Sequence, residues 1–214
     1  GGKLEVSMVA DDGVIQRMNA TKIEGVSDEV RSWMRSGVMV SDMAWVVEEL
    51  ILNSLDAGAT KVCVYINVGF CYVKVVDDGC GISRDGLTLL GQRYVSSKLH
   101  SATPSARKDF GSRGEVLASI SDVSLLEIVT KTSGTPIGYR KLLKGSKCLY
   151  LGIDNDRKEM GTAVIVRDLF YNQPVRKKCI LSSPKKVLQS VKRCVFQIAL
   201  IHENVIFTVF DSES

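Results

Sequence analysis

Two stretches decide how this chain is read: Glu49-Leu50-Ile51-Leu52-Asn53-Ser54-Leu55-Asp56-Ala57-Gly58 and Val75-Val76-Asp77-Asp78-Gly79-Cys80-Gly81. The first ends a predicted helix that starts at Ser41, whose hydroxyl suits an N-cap, and stops at Gly58. At about 100° per residue, Glu49, Asn53 and Asp56 fall within a wedge of roughly 60°. Val47, Leu50, Ile51, Ser54 and Leu55 lie opposite, toward the core. A solvated face on an amphipathic helix explains this pattern as readily as a site does. The second stretch ends a buried strand on a carboxylate, followed by glycines that allow close approach to the backbone. A lone buried aspartate suits a donor such as adenine's amino group. A dinucleotide fingerprint fits poorly, because Arg84 occupies the third glycine position and two aspartates would repel phosphate. An ordinary hairpin exit built from Asp and Gly is the other reading.

Working outward, Lys61–Val68 alternates Val62, Val64, Ile66 and Val68 against Cys63, Tyr65 and Asn67, the period of a half-buried strand. After Gly69-Phe70, Cys71–Asp77 returns as the second arm of a hairpin, and Asp78–Arg84 is a turn. Upstream, residues 1–22 are weakly patterned and read as an arm, with a helix over Ser27–Arg35 closed by Gly37. Downstream, residues 85–112 read mostly as loop with a short helix over Asp85–Gln92. A helix over Arg113–Ile120 follows, then strands over Val123–Lys131, Ile137–Leu143, Cys148–Ile153 and Thr162–Asp168. The final helix opens at Ser183-Pro184, a cap and a first-turn proline. Its stripe is Val187, Leu188, Val191, Cys194, Val195 and Ile198. This order predicts an α+β sandwich, helices on one face of a largely antiparallel sheet.

Composition sets the bounds. The 214 residues suffice for one domain or one and a half, and 45% hydrophobic with 24% charged residues describes a chain with a sizeable core. The balance of 28 basic and 24 acidic residues, +4, permits an acidic partner without demanding one. Six cysteines form no C-x-x-C pair and only His100 and His202 could join them, so reduced core thiols in an intracellular protein are expected rather than zinc. No run approaches the roughly 20 apolar residues of a membrane span, and no signal-peptide pattern opens the chain. Membrane partners are therefore not expected.

Phosphates need donors. Gly111-Ser112-Arg113-Gly114-Glu115 is a glycine-rich loop feeding a helix, which aims free N–H groups and a positive dipole end at one place. Ser96-Ser97-Lys98 adds two hydroxyls and a cation. A P-loop pattern is absent from the sequence, so a nucleotide would need another architecture.

In order, these pieces resemble the amino-terminal ATPase domain of the MutL family of mismatch-repair proteins, which shares the Bergerat (GHKL) nucleotide fold with gyrase, Hsp90 and histidine kinases. Glu49-x-x-x-Asn53-x-x-Asp56-Ala57 is similar to the family's first motif, Asp77-x-Gly79-x-Gly81 to its second, Gly111–Leu117 to its third and Gly161-Thr162 to its fourth. Asp168–Lys178 resembles the segment that sets MutL proteins apart within the superfamily. The resemblance covers residues 23–210. Gly91–Lys98 and Pro174–Cys179 lean toward the eukaryotic MutLγ partner subunit, the branch tied to meiotic recombination. Ser112 and Val116 depart from the family's usual phenylalanine and alanine.

The resemblance implies ATP with Mg²⁺ and slow hydrolysis that drives a dimerisation switch. Glu49 becomes the general base, Asn53 the Mg²⁺ ligand and Asp77 the acceptor for the adenine amino group, assisted by Thr162. Gly79 and Gly81 give clearance beside the base, and Asp56 and Ala57 complete the first motif. Ser96, Ser97, Lys98 and Gly111, Ser112, Arg113, Gly114 and Glu115 cradle the phosphates. A second subdomain carrying a γ-phosphate lysine would lie beyond the chain or only begin at its carboxyl end. Implied partners are a second MutL-family subunit, mismatch-recognition MutS-type proteins and DNA, in the nucleus, in the response to DNA damage. The alternatives are a nucleotide-poor scaffold of the same family and a chaperone or kinase of the wider superfamily. For DNA, Arg176, Lys177, Lys178, Lys185, Lys186, Lys192 and Arg193 gather in a stretch without acidic residues, a pattern that a solvated helix face also explains.

Overall fold

The computed structural model describes residues 5–9, 15–19, 42–91, 114–145 and 147–212. A single nine-stranded sheet organises them. Its strands are β1 (Glu5–Val9), β2 (Ile15–Asn19), β3 (Lys61–Asn67), β4 (Tyr72–Asp77), β5 (Leu125–Lys131), β6 (Gly138–Lys144), β7 (Lys147–Asp154), β8 (Gly161–Arg167) and β9 (Ile206–Asp211), in the order β2-β1-β9-β3-β4-β8-β5-β6-β7. Pairing is antiparallel except that β9 runs parallel to both β1 and β3. The helices are α1 (Asp42–Asp56), α2 (Arg84–Leu89), α3 (residues 114–122), α4 (Pro174–Ser182) and α5 (Pro184–Ile201).

The hairpin β3–β4 shows why one face is covered. Val62, Val64 and Ile66 on β3 and Val73 and Val75 on β4 are buried, and the residues between them are half-buried. Onto this face α1 places Met43, Val47, Leu50 and Ile51, and α5 places Val191, Val195 and Ala199. Leu126, Ile128 and Val166 extend the same core across β5 and β8. The predicted α+β sandwich is therefore the observed one, and most strand limits fall within one or two residues of their expected places.

Four features differ from the sequence reading. Residues read as an arm supply β1 and β2, which pair with each other and dock on β9. The strand β9 was not anticipated, since the expected architecture ended on a helix. It lies between β1 and β3, and Phe207 and Val209 are fully buried. The helix α4 was read only as part of a family segment. Finally, only Cys71 and Cys194 are buried thiols, while Cys80, Cys148 and Cys179 are exposed; all six are free. Ser183 precedes Pro184 as expected, but its side chain makes no capping bond. The expected helix at Ser27–Arg35, the cap at Ser41 and the loop from residue 92 to 113 lie outside the described residues.

The segment before α4 works as a knot. Leu169 N–H donates to the Cys71 carbonyl at 3.1 Å and Phe170 N–H to that of Val123 at 2.6 Å. Phe170 adopts a left-handed backbone (φ 63°) with its ring buried, and the Arg176 guanidinium lies 4.2 Å from the ring centroid. Arg176 in turn grips Asp42 through two hydrogen bonds of 3.0 and 2.8 Å, tying α4 to the first turn of α1.

Because β9 is central, truncating its largest core side chain tests its place. Phe207→Ala should cost about 3–5 kcal/mol, read as a lower urea midpoint at unchanged slope. A loss under about 1 kcal/mol, the scale of a surface substitution, would put β9 outside the core.

Candidate functional site

Strand β4 carries the chain from the sheet into a turn, and its last residue, Asp77, faces the helical layer. Only 7% of Asp77 is exposed. Its Oδ1 accepts from the Gly79 N–H at 3.0 Å and the Thr162 N–H at 3.1 Å, and its Oδ2 accepts from the Ser54 hydroxyl at 2.8 Å. Three elements thus converge on one carboxylate: α1, the turn after β4, and the start of β8. Behind it the Thr162 hydroxyl meets that of Thr130 at 3.0 Å, and Thr130 Oγ1 accepts from the Ile82 N–H at 2.8 Å. Burial pushes the Asp77 carboxyl above the ordinary aspartate range, and the three hydrogen bonds and the charge of Arg157 pull it back only in part.

The glycines are needed for contacts within the protein. A Cβ on Gly79 would sit 2.9 Å from the Cβ and the carbonyl of Ala57. Gly161, at φ +119°, lies against the Asp77 carbonyl, where a Cβ would come within 2.0 Å of the oxygen. The Cys80 N–H donates to the Ala57 carbonyl at 2.9 Å. Gly79 therefore packs on Ala57 and Gly161 on Asp77, a reason for small residues that the sequence reading, which gave Gly79 and Gly81 to ligand clearance, did not contain. Asp78 is turned away and accepts from Thr60 and Lys61, which lowers its carboxyl.

On α1, Glu49 and Asn53 are half-buried and Asp56 is exposed. Burial, then the charge of Glu48, raises the Glu49 carboxyl. The Asn53 amide nitrogen is buried without a hydrogen-bond partner among the described residues. Gly114 and Glu115 open α3; Ser96, Ser97, Lys98, Gly111, Ser112 and Arg113 lie outside the described residues. Sequence reasoning missed Thr130 and Arg157 and gave Ser54 to the core. A hydroxyl in the apolar stripe of α1 was the available signal for Ser54, whereas nothing local marks Thr130.

The basic stretch also changes meaning. Arg176 pairs with Asp42, Lys177 with Asp168 and Lys192 with Asp211. Lys178, Lys185 and Lys186 remain exposed. Among the described residues no helix is long and apolar enough to cross a membrane.

This arrangement, an acceptor carboxylate ending a strand beside an amide and a carboxylate on the neighbouring helix, belongs to one class of nucleotide fold. Residues 40–144 match the family described as histidine kinase-, DNA gyrase B- and HSP90-like ATPase. The fold is similar to the Aquifex aeolicus MutL ATPase domain complexed with ADP, with TM-score 0.63, 30% identity, and 81% of this chain and 61% of that chain covered. In sequence, the chain is 63% identical over 194 residues to DNA mismatch repair protein MLH3 of Arabidopsis thaliana, covering 90% of this chain and 17% of that protein. It is 37% identical to human Mlh3, covering 87% and 13%, and 39% identical to MutL of Methanothrix thermoacetophila, covering 87% and 33%. The chain belongs to the MutL family of GHKL ATPases and corresponds to its amino-terminal domain. Its likeness to the two Mlh3 proteins agrees with the MutLγ branch expected from Gly91–Lys98 and Pro174–Cys179. The chain spans a third or less of the length of these curated relatives.

The Asp77 environment makes a prediction that needs no ligand. A carboxyl raised in the folded state contributes stability present below its unfolded value and lost as pH rises through the folded one. Asp77→Asn keeps an oxygen for Gly79 and Thr162, and its amide can donate to Ser54 Oγ, which then turns its own hydrogen to the Leu50 carbonyl 3.2 Å away. Urea midpoints should therefore shift in the variant's favour as pH rises from the carboxylate range to 7. A variant that falls behind the parent over that interval would show the ionised carboxylate to be stabilised by its site.

Proposed function

We propose that this chain is the ATP-binding, slowly hydrolysing domain of a MutL-type protein of mismatch repair and meiotic recombination, in which nucleotide binding switches the pairing of two subunits. The supporting observation is Asp77: buried, held by three donors, with an oxygen that among the described residues carries only the Ser54 bond and has acceptor capacity to spare. Adenine's amino group is the donor that such an atom selects. The name of the Aquifex structure, a MutL ATPase domain with ADP, accords with this.

On this reading Asp77 and Thr162 hold the base, and Ser96, Ser97, Lys98 and the loop from Gly111 to Glu115 hold the phosphates. Glu49, with its raised carboxyl, accepts the proton of the attacking water, and the remaining work is positioned charge. The chemistry of Asn53 fits Mg²⁺ through its carboxamide oxygen, which suits a hard cation, while its amide nitrogen, a donor no cation can use, is buried. When bound there, Mg²⁺ supplies charge neutralisation of the phosphates. The partners assigned on this reading are a second MutL-family subunit, MutS-type proteins and DNA, and the site of action is the nucleus.

Two substitutions separate chemistry from binding. Glu49→Ala should lower ATP turnover by about 10²–10⁴-fold with affinity retained. Asp77→Asn, which turns amide hydrogens toward adenine's own donor, should cost about 10- to 150-fold in affinity, the range for a lost charge-assisted pair. Turnover in an extended chain and calorimetric titration with ATP measure the two. Parental turnover in the first, or parental affinity in the second, overturns the corresponding assignment.

For DNA, the structure redirects the test to the exposed Lys178, Lys185 and Lys186, because Lys192 is paired with Asp211 at 3.1 Å. Changing these three to Glu should weaken binding on every sequence. It should also flatten the salt dependence by about 0.9 in slope per lost phosphate contact. Unchanged binding and slope would leave these lysines as a solvated face.

A further inference from the structure

The turn between β7 and β8 contains an arginine that no motif includes. Arg157 Nη2 donates to the main-chain carbonyl of Asp77 at 3.1 Å, across 80 residues of sequence. The same carbonyl is the atom against which Gly161 packs. Arg157 is itself held: its N–H donates to Asp154 Oδ2 at 2.9 Å, and Asp154 Oδ1 is gripped by Arg140 Nε and Nη2 at 3.0 and 2.6 Å. Arg140 Nη1 reaches Glu127 at 3.2 Å, and Glu127 also pairs with Arg167 at 2.5 Å. A chain of charged groups therefore runs from the uncovered face of the sheet to the end of β4. The Arg157 Nε is buried and has no partner among the described residues.

We propose that Arg157 is a positioning residue for nucleotide binding, which through the Asp77 carbonyl fixes the end of β4 and sets the surroundings in which the Asp77 carboxyl meets the adenine donor. The inference rests on the reading that Asp77 receives adenine. Around the carboxyl, α1 contributes the Ser54 hydroxyl and β8 the Thr162 N–H, neither of which titrates. The charge acting on it is that of Arg157, opposing burial; Asp154 and Glu159 act in turn on Arg157. The neighbouring Asp78 is occupied by Thr60 and Lys61. Arg157→Met thus removes a group that favours the ionised form, and the carboxyl should take its proton at a higher pH. A protonated Asp77 presents an O–H to a donor, so ATP affinity should fail sooner on acidification.

The test uses the 214-residue chain with three variants, Arg157→Met, Arg157→Lys and Asp77→Asn, each checked for fold by circular dichroism. ¹³C NMR follows the Asp77 carboxyl through its titration without ligand, and calorimetry follows ATP affinity across the same pH range. Arg157→Met should move the Asp77 titration upward and carry the acid limb of ATP binding with it. It should also lower affinity at pH 7 by roughly three- to tenfold, the scale of one hydrogen bond. Arg157→Lys should restore the position of both titrations, because it restores the charge. If Arg157→Met proves misfolded, Arg157→Gln supplies the uncharged side chain, and an Asp77 titration as high in Arg157→Lys as in Arg157→Gln overturns the charge role. An Asp77 titration unmoved in Arg157→Met overturns the proposal outright. If that titration moves while Asp77→Asn binds ATP like the parent, the adenine assignment fails and the link from Arg157 to Asp77 stands.

Discussion

One buried carboxylate constrains the whole architecture. Taking a charge out of water is costly unless donors replace the lost hydration, and Asp77 obtains its donors from Ser54 on α1, from Gly79 in its own turn and from Thr162 at the head of β8. None of these can move far without leaving a buried carboxyl oxygen unpaired. The helix must lie over β4 at the height that brings Ser54 to Oδ2, and β8 must pair with β4 in the register Val75↔Val164 that brings Thr162 to Oδ1. The site is therefore a condition of the packing. It explains why small residues gather there: Ala57, Gly79 and Gly161 let α1, the turn and β8 close to distances that a further methyl would forbid.

The cations show the same economy of position. Arg176, Lys177 and Lys192 face acidic groups on other elements, Asp42, Asp168 and Asp211. Such partly exposed pairs contribute little energy, about 0–1 kcal/mol each. Their effect is directional: Arg176, forked onto Asp42 and laid on the Phe170 ring, fixes the angle between α4 and α1. The segment Asp168–Lys178 is accordingly a structural joint between the sheet and the helices packed on it. A basic stretch in sequence is thus not one surface, since neighbouring cations on α4 and α5 have different employment.

What could be read in the sequence was what is periodic or local. Alternation through Val62, Val64 and Ile66, the glycine stop of α1 and the proline start of α5 each follow from a few adjacent residues, and each is found. The faces proposed to carry the chemistry could be drawn too, because Glu49 and Asn53 share a helix face and Asp77 ends an apolar strand. What escaped depends on contacts distant in the chain. Strand β9 is six residues long and becomes a strand by parallel pairing with β3, some 145 residues earlier, as Lys61↔Ile206 shows. Residues 5–9 and 15–19 need β9 as their template, so missing one strand removed three. Ser54 was read as apolar filling, since helical periodicity says which face a residue takes and nothing about the carboxylate it will meet there.

On the proposed reading the two carboxylates have different tasks, and their surroundings differ accordingly, although both are raised by burial. Asp77 is tied by three donors and backed by a guanidinium on its main-chain carbonyl, so its oxygens are fixed in direction and suited to recognition. Among the described residues Glu49 has no such cage; what acts on it besides burial is the like charge of Glu48, which raises its affinity for a proton. A fixed acceptor selects a donor by geometry, whereas a proton-hungry carboxylate on a rigid helix can take a proton from whatever is held before it. One turn of α1 separates Glu49 from Asn53, and Ser54, the next residue, binds Asp77. The rigidity that Asp77 imposes on the helix is therefore also what would hold Glu49, the proposed base, in place.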